Sequence, residues 1–466
     1  MRSPKLAAVA LPLVDRGPKP GPDGPELLPL DAGEQYRFAF AMAACVGCHS
    51  CEAACAEQNG LPPGTAWRRV GEIEGGEFPH TKRLHLSMSC NHCLEPACLI
   101  GCPTEAYVKL ANGVVAHRAD ECIGCQYCTW NCPYSVPVFQ PDRRIVTKCD
   151  MCRPRLDAGL EPACVGACPT RAISVEAVDV AAWRADHAAG EAPLLPPAGL
   201  TLSTTRYEVP DGLPLETFGG SEWALRPEHP HWPLIGLTLL TQAAVGASLT
   251  AGDRAERLTA AVLAAVALVA SLGHLGRPIH AWKALRNLRR SWLSREVALF
   301  GAYGGLAALA VLWPALAPGA ALVGAAGVYA SGRLYMVPGR PAWNTPLTLA
   351  RFGATALAVG ALVTGHRGLG VAGVAAGLVV TAANLGRLGR GRRIEWWGTV
   401  RLALRRFRGL VVLGVALAAG GIASAVAGPL GLAVALAAGG ELVGRYLFYV
   451  TVVPLDMPGS FYRSVA

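Results

Sequence analysis

All sixteen cysteines of the 466-residue chain fall between Cys45 and Cys168, in four groups of four. Cys45, Cys48, Cys51 and Cys55 are spaced C-x2-C-x2-C-x3-C. Cys90, Cys93, Cys98 and Cys102 follow C-x2-C-x4-C-x3-C-P, closed by Pro103. Cys122, Cys125, Cys128 and Cys132 repeat the first spacing ahead of Pro133, and Cys149, Cys152, Cys164 and Cys168 stretch the middle gap ahead of Pro169. A cubane iron-sulfur cluster needs four thiolates on alternate corners, and a C-x2-C-x2-C loop wraps three of them. The fourth cysteine, three residues on, points away from that loop and in two-cluster ferredoxins ligates the other cluster. With no cysteine left over, the pattern predicts four [4Fe-4S] clusters in two exchanging pairs.

Chain order suggests which groups exchange. Only a short segment, Thr104 to Glu121, separates the second and third groups, and it reads as a strand-turn-strand around Asn112-Gly113. The first and fourth groups then pair around it. This nesting predicts one cluster on Cys45, Cys48, Cys51 and Cys168, and one on Cys55, Cys149, Cys152 and Cys164. A third falls to Cys90, Cys93, Cys98 and Cys132, and a fourth to Cys102, Cys122, Cys125 and Cys128. Disulfides fit poorly, because disulfide scaffolds are short and secreted and lack such repeats. Structural zinc suits Cys149 and Cys152 with the later pair in isolation, but not triple C-x2-C runs ending in C-P. Lys148, beside Cys149, reads equally as a solvated lysine or as a group near a cluster.

The elements that hold these loops follow from patterning. Residues 36–182 predict a ferredoxin-like α+β domain, with short alternating strands such as Tyr36 to Met42, Arg83 to Ser87, Val114 to His117 and Ala172 to Val175. Residues 1–35 are rich in Pro and Gly and predict an extended arm. Their apolar run, Leu6 to Val14, is broken by Pro12 and lacks a small-residue cleavage site, so no export leader is expected. Residues 183–229 predict a linker or wrapping arm.

The run Cys45-Val-Gly-Cys-His-Ser-Cys-Glu-Ala-Ala-Cys, then Cys90-Asn-His-Cys with Pro96 and Cys98, Cys122-Ile-Gly-Cys-Gln-Tyr-Cys and Lys148-Cys-Asp-Met-Cys resembles the four-cluster electron-transfer subunit of the dimethyl sulfoxide reductase family of molybdopterin oxidoreductases. The resemblance implies the same nested ligand pairing. It also implies a separate molybdenum-containing catalytic subunit and a membrane subunit as partners.

Residues 230–466 are of another kind. The chain carries 20 Lys+Arg against 27 Asp+Glu up to Pro230, and 22 against 6 from His231 on. Apolar stretches long enough to cross a bilayer recur eight times: Trp232 to Thr250, Leu258 to Leu275, Val297 to Trp313, Ala320 to Met336, Leu347 to Val363, Leu369 to Leu385, Leu410 to Ala427 and Leu430 to Pro454. An all-α eight-helix bundle is expected, closely packed through its Gly and Ala. The loops on the side of the cysteine domain, Arg277 to Arg295, Arg333 to Arg351 and Arg387 to Arg408, hold 17 Lys or Arg, and the opposite loops hold three. The positive-inside rule then places the protein in the inner (cytoplasmic) membrane with its cluster domain in the cytoplasm.

His231-Trp-Pro-Leu, His274-Leu-Gly-Arg-Pro, Ser291-Trp-Leu-Ser-Arg-Glu296, Pro341-Ala-Trp-Asn and Glu441-Leu-Val-Gly-Arg445 with Phe448-Tyr449 resemble the eight-helix anchor subunit of the same family. The chain then reads as two normally separate subunits fused. The resemblance implies an anchor that binds no haem and exchanges electrons with membrane quinone, either menaquinone or ubiquinone. The residues agree on haem: of the histidines near spans, His274 ends the second stretch and His366 lies in an opposite loop. His274 and Glu296, flanking the arginine-rich loop on the cluster side, are the candidate quinone residues, with Arg277 as a third. Their alternatives are a helix-capping histidine, a glutamate paired to Arg295 or Arg277, and an arginine that anchors its helix. Glu441 and Arg445, one turn apart, predict a structural ion pair.

Function is then expected to be an electron wire between a molybdenum enzyme and quinone, with no catalytic dyad of its own. Sulfite oxidation at the cytoplasmic face is the favoured reaction of the complex. The alternatives are a dimethyl sulfoxide, N-oxide, polysulfide or other anaerobic respiratory reductase, or redox-driven ion translocation. Nucleic acid is not an expected partner. Gly368 to Gly373 spells G-x-G-x-x-G but follows no strand and has no acidic residue about twenty positions on, so NAD is not expected either.

Overall fold

The computed structural model describes residues 29–211, 218, 225–391 and 393–455. Most of the expected N-terminal arm and its leader reading lie outside them.

The cysteine-bearing part is built on one three-stranded sheet and three hairpins. β1 (Glu34–Ala41) pairs antiparallel with β8 (Ile173–Asp179), Phe38 facing Val175, and parallel with β9 (Arg206–Glu208), Phe40 facing Tyr207. The hairpins are β2 (Arg69–Gly75) with β3 (Lys82–Met88), β4 (Tyr107–Lys109) with β5 (Val115–His117), and β6 (Val138–Gln140) with β7 (Ile145–Thr147). β4 and β5 are the hairpin expected around Asn112-Gly113, turned by Gly113 at φ +84°. Phe38, Phe40, Val70, Ile73, Leu86, Val114, Val136, Met151 and Ile173 fill the core between sheet and loops.

Of the segment expected as a linker or wrapping arm, the described residues 183–208 pack on the cysteine-bearing part. β9 adds a strand to the sheet of β1, and Trp183 is buried with its Nε1 donating to the Ser203 carbonyl at 2.9 Å. The iron-sulfur domain therefore continues at least to Glu208.

The other half is helical. Among the described residues seven helices are long and apolar enough to cross a membrane: Trp232–Thr250, Arg254–Leu272, Pro314–Tyr335, Pro346–Val363, Arg367–Gly389, Arg408–Ala427 and Leu430–Val450. Eight were expected. The missing one, the Trp292–Ala310 helix, is 19 residues long but carries Arg295 and Glu296 in its first turns, which makes it too polar to qualify. It still packs beside the Arg254–Leu272 and Ala317–Tyr335 helices. Outward-facing Leu322, Val379 and Val426 give the bundle the apolar belt that lipid requires.

Small residues set the closest helix crossing. Gly246 lies against the Ala356 carbonyl and Gly360, so a side chain at Gly246 or Gly360 would meet opposing backbone. At the same crossing residues Ala356–Gly360 form a π-helical turn. The glycines of the G-x-G-x-x-G run lie in or beside the first turns of a membrane helix, Gly370 against Leu362 and Gly373 against Ala358.

Candidate functional site

Each cluster loop folds by left-handed turns that its sequence permits. Between Cys45 and Cys51, Gly47 and His49 have φ of +65° and +59°; between Cys122 and Cys128, Gly124 and Gln126 have +71° and +60°. Two such residues at matching places curl the backbone around a common centre, and a short helix follows each loop: Ser50–Gln58 and Tyr127–Asn131. His92 and Met151 play the corresponding part in the other two groups, at +43° and +62°. Cys102 and Cys132 cap the ends of their helices in extended conformation, where Pro103 and Pro133 bar continuation.

None of the sixteen cysteines is paired in a disulfide, and the fold gathers them in sets drawn from distant groups. Cys45 lies within electrostatic reach of Cys48 and Cys168, and Cys51 is buried facing Arg68. The Asn59 amide reaches both Cys55 Sγ (3.7 Å) and Cys152 Sγ (3.9 Å), with Cys164 and Cys149 beside Cys55. Cys90, Cys93, Cys98 and Cys132 line one cavity together with Lys148 and Thr201. Cys102 neighbours Cys122, Cys125 and Cys128.

The donor set suits iron-sulfur clusters. No three His, Cys, Asp or Glu side chains among the described residues converge on a single-ion site, as zinc would need; Cys90, Cys93, Cys98 and Cys132 instead line a shared cavity. N–H and O–H groups point at sulfur: Ala106 N to Cys102, Gly124 N to Cys122 and Met151 N to Cys149, each at 3.4 Å, and Thr201 Oγ1 to Cys93 at 3.1 Å. Burial pushes the thiols of Cys55 and Cys93 up to about 12 and Cys132 up to about 11. Ligation would therefore release protons from these groups.

Two buried cations stand among the thiols. Lys148 is 3 % exposed, bonded to the Val115 and Cys149 carbonyls. Burial opposes its charge, but Cys90, Cys98 and Cys149 outweigh that and raise its pKa. Of the two readings of Lys148, the fold places it beside the thiols. Arg68, also 3 % exposed, donates to Ser87 and Ser89 at 3.0 and 2.8 Å and faces Cys164, Cys51, Cys149 and Cys55. Sequence reading missed Arg68, Thr201 and Asn59.

The sets differ in exposure. Cys48 and Val46 lie at the surface. The third group faces the helices. Arg277 donates from its backbone to the Ile123 carbonyl (3.0 Å) and from Nη1 to Ala119 (2.9 Å), so it ties the loop to the cluster domain. Asn287 Nδ2 donates to the Cys102 carbonyl (2.8 Å), and Ser291 to Gly101 (2.8 Å). Glu121, whose carboxyl is held below its usual range by Lys283 and Arg286, meets them at 2.9 and 2.5 Å. Trp130 is buried among His231, Tyr335, Trp343 and Tyr449, and the Tyr127 hydroxyl donates to the Leu334 carbonyl at 3.0 Å.

The remaining site residues are placed as follows. His274 follows the Arg254–Leu272 helix, with Nδ1 against the Ser271 carbonyl. Glu296 is 5 % exposed and faces Ser331; Arg295 bonds instead to the Leu288 and Arg289 carbonyls. The expected Glu441–Arg445 pair is corrected. Glu441 pairs with Arg351 at 2.8 Å and accepts from Thr355 at 2.8 Å, while Arg445 donates to Gln242 at 2.7 Å and lies over Phe352. The i,i+4 spacing permits a Glu441–Arg445 pair, but Gly377 and Gly444 leave the room through which Arg351 reaches in from another helix.

Comparison with known proteins agrees with both halves. Residues 81–178 match the 4Fe-4S dicluster domain, and residues 227–366 match the DMSO reductase anchor subunit. One of the chains of the anaerobic dimethyl sulfoxide reductase of Haemophilus influenzae is 38% identical over 177 residues, which cover 36% of this protein and 86% of that relative. The chain of the same name in Escherichia coli strain K12 is 38% identical over 168 residues, 34% of this protein and 82% of the relative. A sulfite dehydrogenase subunit of Allochromatium vinosum is 39% identical over 160 residues, 30% of this protein and 67% of the relative. The chain thus belongs to the dimethyl sulfoxide reductase family, its electron-transfer iron-sulfur part and its multi-pass membrane anchor joined in a single polypeptide.

Proposed function

We propose that this chain is the wire and anchor of a molybdenum oxidoreductase, carrying electrons between a molybdopterin catalytic subunit and quinone. The observation that carries the reading is the ordering of the thiol sets, from surface Cys48 down to the Cys102, Cys122, Cys125 and Cys128 set that abuts the bundle. Four [4Fe-4S] clusters, when bound, supply one-electron transfer. They would sit on the sets predicted from spacing: Cys45, Cys48, Cys51 and Cys168; Cys55, Cys149, Cys152 and Cys164; Cys90, Cys93, Cys98 and Cys132; Cys102, Cys122, Cys125 and Cys128. The thiol neighbours in the fold support each set. Exposed Cys48 and Val46 offer the catalytic subunit a close approach, and apolar packing around the deeper thiols excludes water.

At the membrane end His274 and Glu296 serve the quinone half-reaction, Glu296 holding a proton for the quinone oxygen and His274 hydrogen-bonding its partner oxygen. Arg277 positions the loop between them through its bonds to Ala119 and Ile123. The arginine-rich loops lie on the cluster side, which supports a cytoplasmic cluster domain. For the complex we favour sulfite oxidation, since the Allochromatium relative is part of a sulfite dehydrogenase.

The test is the purified complex. It should hold about sixteen iron atoms per chain and molybdenum, and should couple sulfite to a quinone analogue. His274→Ala and Glu296→Gln should abolish quinone coupling while the catalytic subunit still turns over with a soluble dye. About eight irons, or unchanged quinone coupling in both variants, would sink the respective part of the reading.

A further inference from the structure

Under the iron-sulfur domain, polar groups line up through helix ends that are otherwise apolar. Glu296 has no ion-pair partner among the described residues and faces Ser331, whose buried hydroxyl makes no hydrogen bond of ordinary geometry. One turn on from Ser331 is Tyr335, and its hydroxyl bonds that of Tyr449 at 2.5 Å. The two phenols are 2 % and 1 % exposed, and both feel the charges of Glu296 and Arg445.

The charges around this pair are arranged in a definite way. Arg351 and Glu441 neutralise each other, and Arg445 and Glu296, both within electrostatic reach of the two tyrosines, have no ionic partner within 4 Å among the described residues. Packing alone needs no hydroxyl on either ring. Two phenols bonded to each other, within reach of a guanidinium and a carboxyl that lack ionic partners, are suited to passing a proton.

An outlet continues from Tyr449. Its ring lies 6.1 Å from His231, and the His231 ring lies 5.4 Å from His229, which is exposed on the cluster side. Trp130 stands edge-on to His231 at 5.0 Å and holds it in line. These separations, measured between ring centres, place the two histidines one after the other beyond Tyr449.

We propose that Tyr335 and Tyr449 form a proton relay between Glu296 and water on the cluster side, with His231 and His229 as its mouth. The proposal rests on the quinone reading above and adds the route and the side of proton exchange. Reduction of quinone consumes two electrons, which the clusters would supply when bound, and two protons. For each proton entering His231, one leaves it for Tyr449; each hydroxyl then gives up its own proton as it gains another, and Glu296 delivers one to a quinone oxygen. No electron moves along the relay and no group is changed at the end. Hydroquinone oxidation runs the same steps backward.

The experiment uses the full-length chain in its complex in native membranes, with decylubiquinone as the probe. Tyr449→Phe and Tyr335→Phe each keep the ring and remove the hydroxyl, so either stands in if the other fails to assemble; cluster paramagnetism checks assembly. The quinone-coupled kcat should fall about 100-fold with the KM for decylubiquinone unchanged and a larger solvent deuterium isotope effect. In His231→Gly, added imidazole should restore part of the rate. Wild-type kcat and isotope effect in both tyrosine variants would overturn the relay, as would a raised KM at unchanged kcat, the mark of a binding contact. Those results with Glu296→Gln still impaired remove the relay alone, whereas full coupling in Glu296→Gln removes the quinone site with it.

Discussion

Single residues divide sharply by how far they could be read from sequence. The cysteines were legible because their spacing is itself the chemistry: C-x2-C-x2-C fits a loop that wraps three corners whatever surrounds it. Lys148 and Arg68 were not, since a buried cation is defined by neighbours from strands far away in the chain. Their consequence is electrostatic. A fixed positive charge near thiolates favours the added electron, worth a few kcal/mol at ordinary effective dielectric. Lys148→Met should therefore lower the reduction potential of the cluster proposed on Cys90, Cys93, Cys98 and Cys132, by on the order of 100 mV. Lys148→Arg should move it much less. Redox titration followed by electron paramagnetic resonance reads both, and an unmoved potential in Lys148→Met would show that solvent already screens the charge.

Elements with strong periodicity were read correctly, and those defined only by tertiary pairing were not. Every expected apolar stretch is a helix, because lipid-facing Leu and Val outnumber polar residues over a whole span. β9 escaped notice because three residues carry no period, and its pairing with β1 joins segments some 165 residues apart. The same limit hid the five-residue Tyr127–Asn131 helix as a docking element. Its Trp130 enters a cage of Tyr335, Trp343 and Tyr449, with centroids 6.0, 5.3 and 6.2 Å away. Removing a buried Trp side chain typically costs about 3–5 kcal/mol, and here the loss falls on the seam between the halves. Trp130→Ala should keep its clusters and its dye-coupled turnover, yet lose quinone coupling and unfold at a lower temperature. Calorimetry and paired assays check this, and equal loss of both activities would place the damage in the cluster domain instead.

At the scale of the whole molecule, the question is whether the covalent link or the seam holds the halves together. The dicluster match covers residues 81–178 of the cysteine-bearing part, and the anchor match begins at residue 227. The seam is substantial. Lys283 and Arg286 hold Glu121, Asn287 and Ser291 hold the Cys102 and Gly101 carbonyls, and Trp130 fills its aromatic cage. Gly124 and Gly276 both face the Arg144 carbonyl, where a Cβ on either would collide. A short tether gives an effective concentration near the millimolar range, so unlinked halves at about micromolar levels must bind with roughly 8 kcal/mol to stay together. A buried Trp with several charge-assisted bonds at its rim can supply that. A chain opened between residues 221 and 222 and expressed as two pieces should therefore copurify through a tag on either piece and keep quinone coupling. If the pieces separate while the soluble one retains its iron, the link itself maintains the path from thiolate to membrane. Adding Trp130→Ala to the opened chain separates them in either case, because the tether that would mask the loss is gone.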